Sequence, residues 1–404
     1  MLLRAVIASV AFFCISVAQA DEPQWLKDAR ARESKPIKAT AFKSKDNWFS
    51  AKVPAKVVGP VVKEQGSYSV ELNIGGDNPI YCEVVPEGFD TADMLHRTYD
   101  LTLKQIEEGQ GKIEAKELEF SDAGAIGNVP YLQTRWIYTT NNGKESLAGG
   151  LKQIAFEKLG HGIYCAHVDI GYEKTFDTVT RALVESFEAP QDGTAPYYFD
   201  ISTATLAGKK VGIAISRLER DADGDTKASQ MTSMLIATPD GAAHSVDSVH
   251  VEWIRPDASL INGSHFVSQD GEMTIKADLK LDDDGWFVKG ESAGKPLDAK
   301  LGTDVHPGSW VEQALGLRKM LAAQNPVGSE HSIALWTVSD LNKLTDARTR
   351  ILSKGARDEY AANAVVGTIN ASVTLDASGL PKDGDIPMGA QKIHVERVYQ
   401  NGSF

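Results

Sequence analysis

Two short elements carry the residue types best suited to chemistry. Val249-His250-Val251-Glu252 and Ile393-His394-Val395-Glu396 repeat one apolar-His-Val-Glu pattern. Each is followed downstream by Asn-Gly-Ser, at 262–264 and 401–403. On a β-strand, residues two apart share a face about 7 Å apart along the chain, so each pair sets an imidazole beside a carboxylate. If the two strands were neighbours, His250, Glu252, His394 and Glu396 would supply four ligands of the kind zinc takes. A metal-dependent hydrolase would follow from that. The alternating apolar residues instead assign His and Glu to a solvent face, and the reading adopted is one without metal or cofactor.

A second group is His161, Cys165 and His167, which share strand parity, with Cys82 within reach as a fourth ligand for zinc. Export would oxidise the two thiols into a disulfide and remove them from both metal binding and nucleophilic chemistry. Asp221-Ala-Asp223-Gly-Asp225 departs from a calcium loop. Its glycine comes too early and Thr232 stands where a closing glutamate belongs, so a tight turn is expected there and at Asp282-Asp283-Asp284-Gly285. No G-x-S-x-G elbow, phosphate-binding glycine loop or H-E-x-x-H pair occurs. Ser292-Ala-Gly-Lys295 fits S-x-x-K formally, but Gly294 and Pro296 deny it a helix. What remains is an apolar pocket, for which Trp253, Trp310, Leu317 and Trp336 are the candidate residues.

Compartment and class bound these options. Met1-Leu2-Leu3-Arg4, the apolar run Ala5 to Val17 and Ala18-Gln19-Ala20 have the form of a cleaved export signal over residues 1–20. The expected location is the periplasm, without stable membrane insertion, because no later apolar run is long enough to span a bilayer. The full chain carries a net charge of −13. That sign argues against nucleic acid and anionic membranes as partners. Beyond residue 20 two cysteines remain, Cys82 and Cys165, and an oxidising compartment predicts that they pair.

The elements that must position these residues read as two domains. Residues 21–45 form a charged lead-in with a short helix around Trp25 to Arg32. Residues 46–189 are expected to be an α+β domain, an antiparallel sheet with two helices. Tyr68, Val70, Leu72 and Ile74 alternate with polar residues as a half-buried strand, and Ile80 to Val85 returns beyond a glycine turn. Leu95, Tyr99 and Ile106 mark one helix, capped by Thr91 and stopped near Gly109; Phe176, Val179, Leu183 and Phe187 mark the other. Residues 190–196, with Pro190 and Pro196, read as a linker. From 197 to 404 the chain is strand-rich, with Asp-Gly turns at 223–224, 240–241, 270–271 and 284–285. A single helix interrupts it, announced by the capping box Ser309-Trp310-Val311-Glu312 and carrying Trp310, Ala314, Leu317 and Leu321 on one face.

Trp48-Phe49-Ser50-Ala51-Lys52-Val53-Pro54 and Leu183-Val184-Glu185-Ser186-Phe187 give residues 46–189 a resemblance to PsbP-like α+β domains. The aromatic residue often found after the early proline is replaced by Ala55-Lys56. That resemblance implies a non-catalytic assembly or accessory role. Tyr197-Tyr198, Gly208-Lys209-Lys210-Val211-Gly212 and the single helix give residues 197–404 a resemblance to the open, curved sheets of LolA-like lipoprotein carriers. It implies an open sheet or half-barrel that binds an apolar ligand under its helix.

Together these features point to a disulfide-bonded periplasmic protein that binds an apolar small molecule or an envelope protein without catalysis. The alternatives are the hydrolase built on the His-Val-Glu pairs and a purely structural envelope protein. A pocketless second domain would mark the last.

Overall fold

The computed structural model describes residues 24–403 except 144–145, 192 and 239–240. The expected export signal lies outside the described residues, as does Asp240 of one Asp-Gly turn. Strand dominates, 57 % against 15 % helix, and the large sheets are antiparallel. By packing, the described residues divide into two compact units, 24–193 with 235–245, and 194–234 with 246–403.

The first unit begins with α1 (Gln24–Arg30), β1 (Thr40–Lys43), β2 (Ser50–Val53), β3 (Lys56–Val58), β4 (Lys63–Glu64), β5 (Ser67–Asn73) and β6 (Ile80–Val85). It continues through α2 (Thr91–Gln110), β7 (Lys112–Ile126), β8 (Val129–Asn141), β9 (Ser146–Lys158), β10 (His161–His167) and α3 (Glu173–Ser186). β1 and β2 pair separately, while the main sheet runs β3-β5-β6-β10-β9-β8-β7 with β4 beside β5. In β5 the alternation is strict, with Tyr68, Val70 and Leu72 buried and their neighbours outward. Phe176, Val179 and Leu183 of α3 pack on that core, and Phe187 joins them just beyond the helix end.

The expected two-helix arrangement is not what forms. Three helices are present, and the lead-in is part of the structure. Ala29 of α1 is buried, and the Glu33 carboxylate accepts the backbone N–H groups of Lys174 and Thr175, both at 2.9 Å. A carboxylate at these otherwise unpaired N–H groups satisfies the first turn of α3 and complements its dipole. The helix expected to be capped by Thr91 instead has Asp90 at that place and continues to Gln110, ending on Gly111.

The second unit is built on one 14-stranded sheet. Its first half is β11 (Tyr198–Leu206), β12 (Lys209–Arg220), β13 (Thr226–Ala237), β14 (Ala243–Ile254), β15 (Leu260–Gln269), β16 (Glu272–Asp282), β17 (Gly285–Ser292) and β18 (Lys295–Gly302). α4 (Trp310–Leu321) follows, and then β19 (Glu330–Thr337), β20 (Asp340–Lys354), β21 (Tyr360–Val366), β22 (Ile369–Leu375), β23 (Pro381–Met388) and β24 (Gln391–Gly402). The order is β18-β17-β16-β15-β14-β13-β12-β11-β24-β23-β22-β21-β20-β19. Two meanders therefore join where the last strand returns beside β11. The chain passes from one edge, β18, to the other, β19, through the segment holding α4. β18 also packs against β20, so the sheet curls and brings its two edges near each other. Trp310, Val311 and Ala314 of α4 enter the larger core with Leu279, Trp286 and Trp336. Leu317 and Leu321 enter a smaller one with Ile351, Tyr360 and Leu375.

Candidate functional site

α4 is held at its N-terminus by two acceptors. The Ser309 hydroxyl accepts the Glu312 N–H at 2.9 Å, as the capping box predicts, and Glu252 Oε2 of β14 accepts the Trp310 N–H at 3.1 Å. Glu252 is therefore not on a solvent face; it is 4 % exposed. His250 Nε2 lies 3.4 Å from Glu252 Oε1, and its ring stacks at 3.9 Å on His265, directly opposite on β15. The His265 ring in turn lies 4.5 Å from that of Trp336. The solvent-face expectation fails for this pair for a physical reason. β14 is interior to the sheet, and the N–H groups opening α4 favour a carboxylate.

The second pair does lie outward. His394 Nδ1 is 2.9 Å from Asp385 Oδ1, Glu396 is exposed, and Ile393 and Val395 are buried. Strands β13, β12 and β11 separate β14 from β24, so the four residues of the hydrolase alternative do not converge. Among the described residues no group of three or more His, Cys, Asp or Glu side chains is placed to hold a metal ion. In the first unit Cys82 and Cys165 form a disulfide across paired positions of β6 and β10. His161 is engaged at both ring nitrogens, by the carbonyls of Pro86 and Pro190, each at 2.6 Å. His167 Nε2 lies 3.4 Å from Asp169 Oδ2. Ser292 and Lys295 face each other across the β17–β18 hairpin, and Asp221 accepts the N–H groups of Asp223 and Asp225 in a tight turn.

A cavity of about 100 Å³ lies beneath α4, against β20 to β24. Trp310, Ala314 and Leu317 form its roof; Ile369, Ala371, Val373 and Leu375, one face of β22, form much of its wall. Small residues border the space, among them Ala364, Ala371 and Gly384. Of the four residues expected to make a pocket, Trp310 and Leu317 line the cavity. Trp253 and Trp336 do not. Trp336 is in the core with Nε1 donating to the Leu341 carbonyl at 3.1 Å, and Trp253 is half-buried opposite Asn262.

The helix is seated by close backbone approach. Gly379, in the turn between β22 and β23, has φ +81°, and a Cβ there would stand 2.7 Å from Arg318 N and 2.8 Å from Ala314 O. Asp376 shapes that turn by accepting the Ser378 and Leu380 N–H groups at 2.9 and 3.2 Å, and it pairs with Arg397 of β24. Burial favours neutralising Arg397, but the Asp376 carboxylate prevails and holds the guanidinium above its ordinary pKa. Close by, Tyr198 donates to Asp200 Oδ2 at 2.5 Å. Burial drives the Asp200 carboxyl upward, against the opposing pull of Tyr198 and Arg397.

Two charged residues line the cavity, and both are engaged. Lys382 Nζ is 2.6 Å from Glu359 Oε1, and Asp383 Oδ1 accepts the Thr374 hydroxyl at 3.0 Å. Gln313 of α4 also lines it, 3 % exposed, and its Oε1 has no hydrogen-bond partner among the described residues. Sequence reasoning missed Gln313 and the β21–β23 wall. The period-2 run Ile369, Ala371, Val373, Leu375 was the available signal for the wall.

No family model and no curated protein matches the chain. Among solved structures, a β-barrel-like protein of domain of unknown function DUF1849 from Brucella abortus aligns with 12 % identity. It covers 53 % of this chain and 100 % of that one at a TM-score of 0.41. A DUF1089 family protein from Pseudomonas aeruginosa aligns with 15 % identity over 46 % of this chain and 89 % of that one, TM-score 0.23. The resemblances to PsbP-like domains and to lipoprotein carriers are not supported by these comparisons.

Proposed function

We propose that this is a non-catalytic binding protein of the periplasm, which takes one end of a small, largely apolar ligand into the cavity beneath α4. The observation that carries the reading is the cavity itself, walled by the apolar face of β22 and roofed by Trp310, Ala314 and Leu317. Its volume of about 100 Å³ is smaller than that of the cavity of roughly 150 Å³ that accommodates benzene in an engineered protein core. It suits the end of a chain, with the rest of the ligand emerging at the mouth. Residues 1–20 act in this reading as a cleaved leader, and 190–196 join an accessory domain, 46–189, to the binding domain, 197–404. The Cys82–Cys165 disulfide fits an oxidising compartment, and among the described residues no helix is long and apolar enough to cross a membrane.

Native mass spectrometry of protein recovered from the periplasm without detergent tests the proposal. The expected result is a reproducible excess mass, lost on denaturation and absent from an Ala371→Trp variant whose indole fills the cavity. An unliganded wild type that also takes up no added alkyl probe would overturn it.

A further inference from the structure

We infer that the ligand of this cavity joins its apolar chain to an uncharged hydrogen-bonding head, a hydroxyl or an amide, held by Gln313. The inference rests on the binding role proposed above and specifies the ligand class. Gln313 sits on the buried face of α4 among Trp310, Ala314 and Leu317, with its Oε1 buried and without a partner among the described residues. A buried acceptor left without a partner carries an uncompensated desolvation cost, which a ligand donor recovers. Whichever way the amide turns it offers an acceptor or a donor, never a charge.

An ionised head has no counterpart there. In an apolar enclosure a carboxylate or ammonium needs an opposite charge to offset its desolvation. Lys382, the cation lining the cavity, is already paired with Glu359 at 2.6 Å, and the Asp383 carboxylate is hydrogen-bonded to Thr374, on the face of β22 opposite the cavity wall. A bare hydrocarbon would fill the apolar volume but leave Gln313 Oε1 unsatisfied. A hydroxyl, both donor and acceptor, matches the amide in either orientation.

The test compares four probes of one chain length on the full chain: 1-octanol, octanoate, octylammonium and 1-chlorooctane, read by native mass spectrometry and by tryptophan fluorescence. Octanol is expected to bind about tenfold tighter than the other three, the worth of one neutral hydrogen bond. Gln313→Met, similar in length but lacking the amide, should weaken octanol about tenfold and leave chlorooctane unchanged, with melting temperature as the folding control. Chlorooctane, octanoate or octylammonium binding as tightly as octanol would overturn the head-group inference while leaving the binding role standing. Failure of every probe would overturn both. The four-probe comparison on the wild type decides the matter even if the variant does not fold.

Discussion

Replacing Cys82 and Cys165 together by alanine removes a crosslink spanning 83 residues between two central strands of the first sheet. On the chain-entropy model, closing a loop of that length is worth about 4.5 kcal/mol. Both cysteines are fully buried, packed in the core with Val70, Ile154 and Phe176. Loss of the two sulfurs therefore adds about 1 kcal/mol of missing contacts. The expected cost is about 5 kcal/mol. At roughly 2–4 °C per kcal/mol for a unit of this size, the first thermal transition should fall by about 10–20 °C. Differential scanning calorimetry of the full chain, with and without reductant, measures it. The denatured, unreduced wild type should take no alkylating reagent at either position. A double variant melting within about 3 °C of wild type would refute the reasoning. It would mean that the strands are held by packing alone and that the unfolded chain gains little freedom on release.

Gly379→Ala places a Cβ against Arg318 N and Ala314 O at a φ of +81°, so backbone strain and overpacking together should cost about 3 kcal/mol. Chemical denaturation should show that loss, and ligand-derived excess mass should fall as α4 lifts. Asp169 provides a pH test. Burial pushes its carboxyl up, but hydrogen bonds from His167 and Asn78 outweigh that and hold the pKa at about 2, below the ordinary 3.8. A lowered carboxyl pKa contributes stability that is complete above pH 4 and is lost as pH falls toward 2. Asp169→Asn should therefore cost about 1 kcal/mol at pH 7, discounted for its partial exposure, with the difference from wild type closing by pH 2. Urea titrations at several pH values check it, and a gap that persists at pH 2 would show that geometry rather than charge is responsible.

Legibility varied with how local the controlling physics was. The strict alternation at Tyr68, Val70 and Leu72, the Asp221 turn and the Ser309 cap were all readable, since each depends on residues within a few positions. β7 was not, because irregularities between Ile113 and Ala115 and between Leu118 and Phe120 shift its side-chain period. Glu33 looked like one charge in a solvated lead-in. Its role at the N-terminus of α3 depends on a partner about 140 residues away.

By itself the sequence determined the strand-rich character, the position of the single helix in the second unit and the two cysteines available to pair, because period, turn chemistry and composition act over short spans of chain. Which strands are neighbours was decided only by the tertiary structure. Identical apolar-His-Val-Glu runs ended on opposite kinds of face, one beneath the N-terminus of α4 and one toward solvent. Period-2 alternation says which residues share a face, but the sheet's order and its helix decide which face is buried. The cavity likewise exists only where α4 meets β20 to β24, segments that no short stretch of sequence relates.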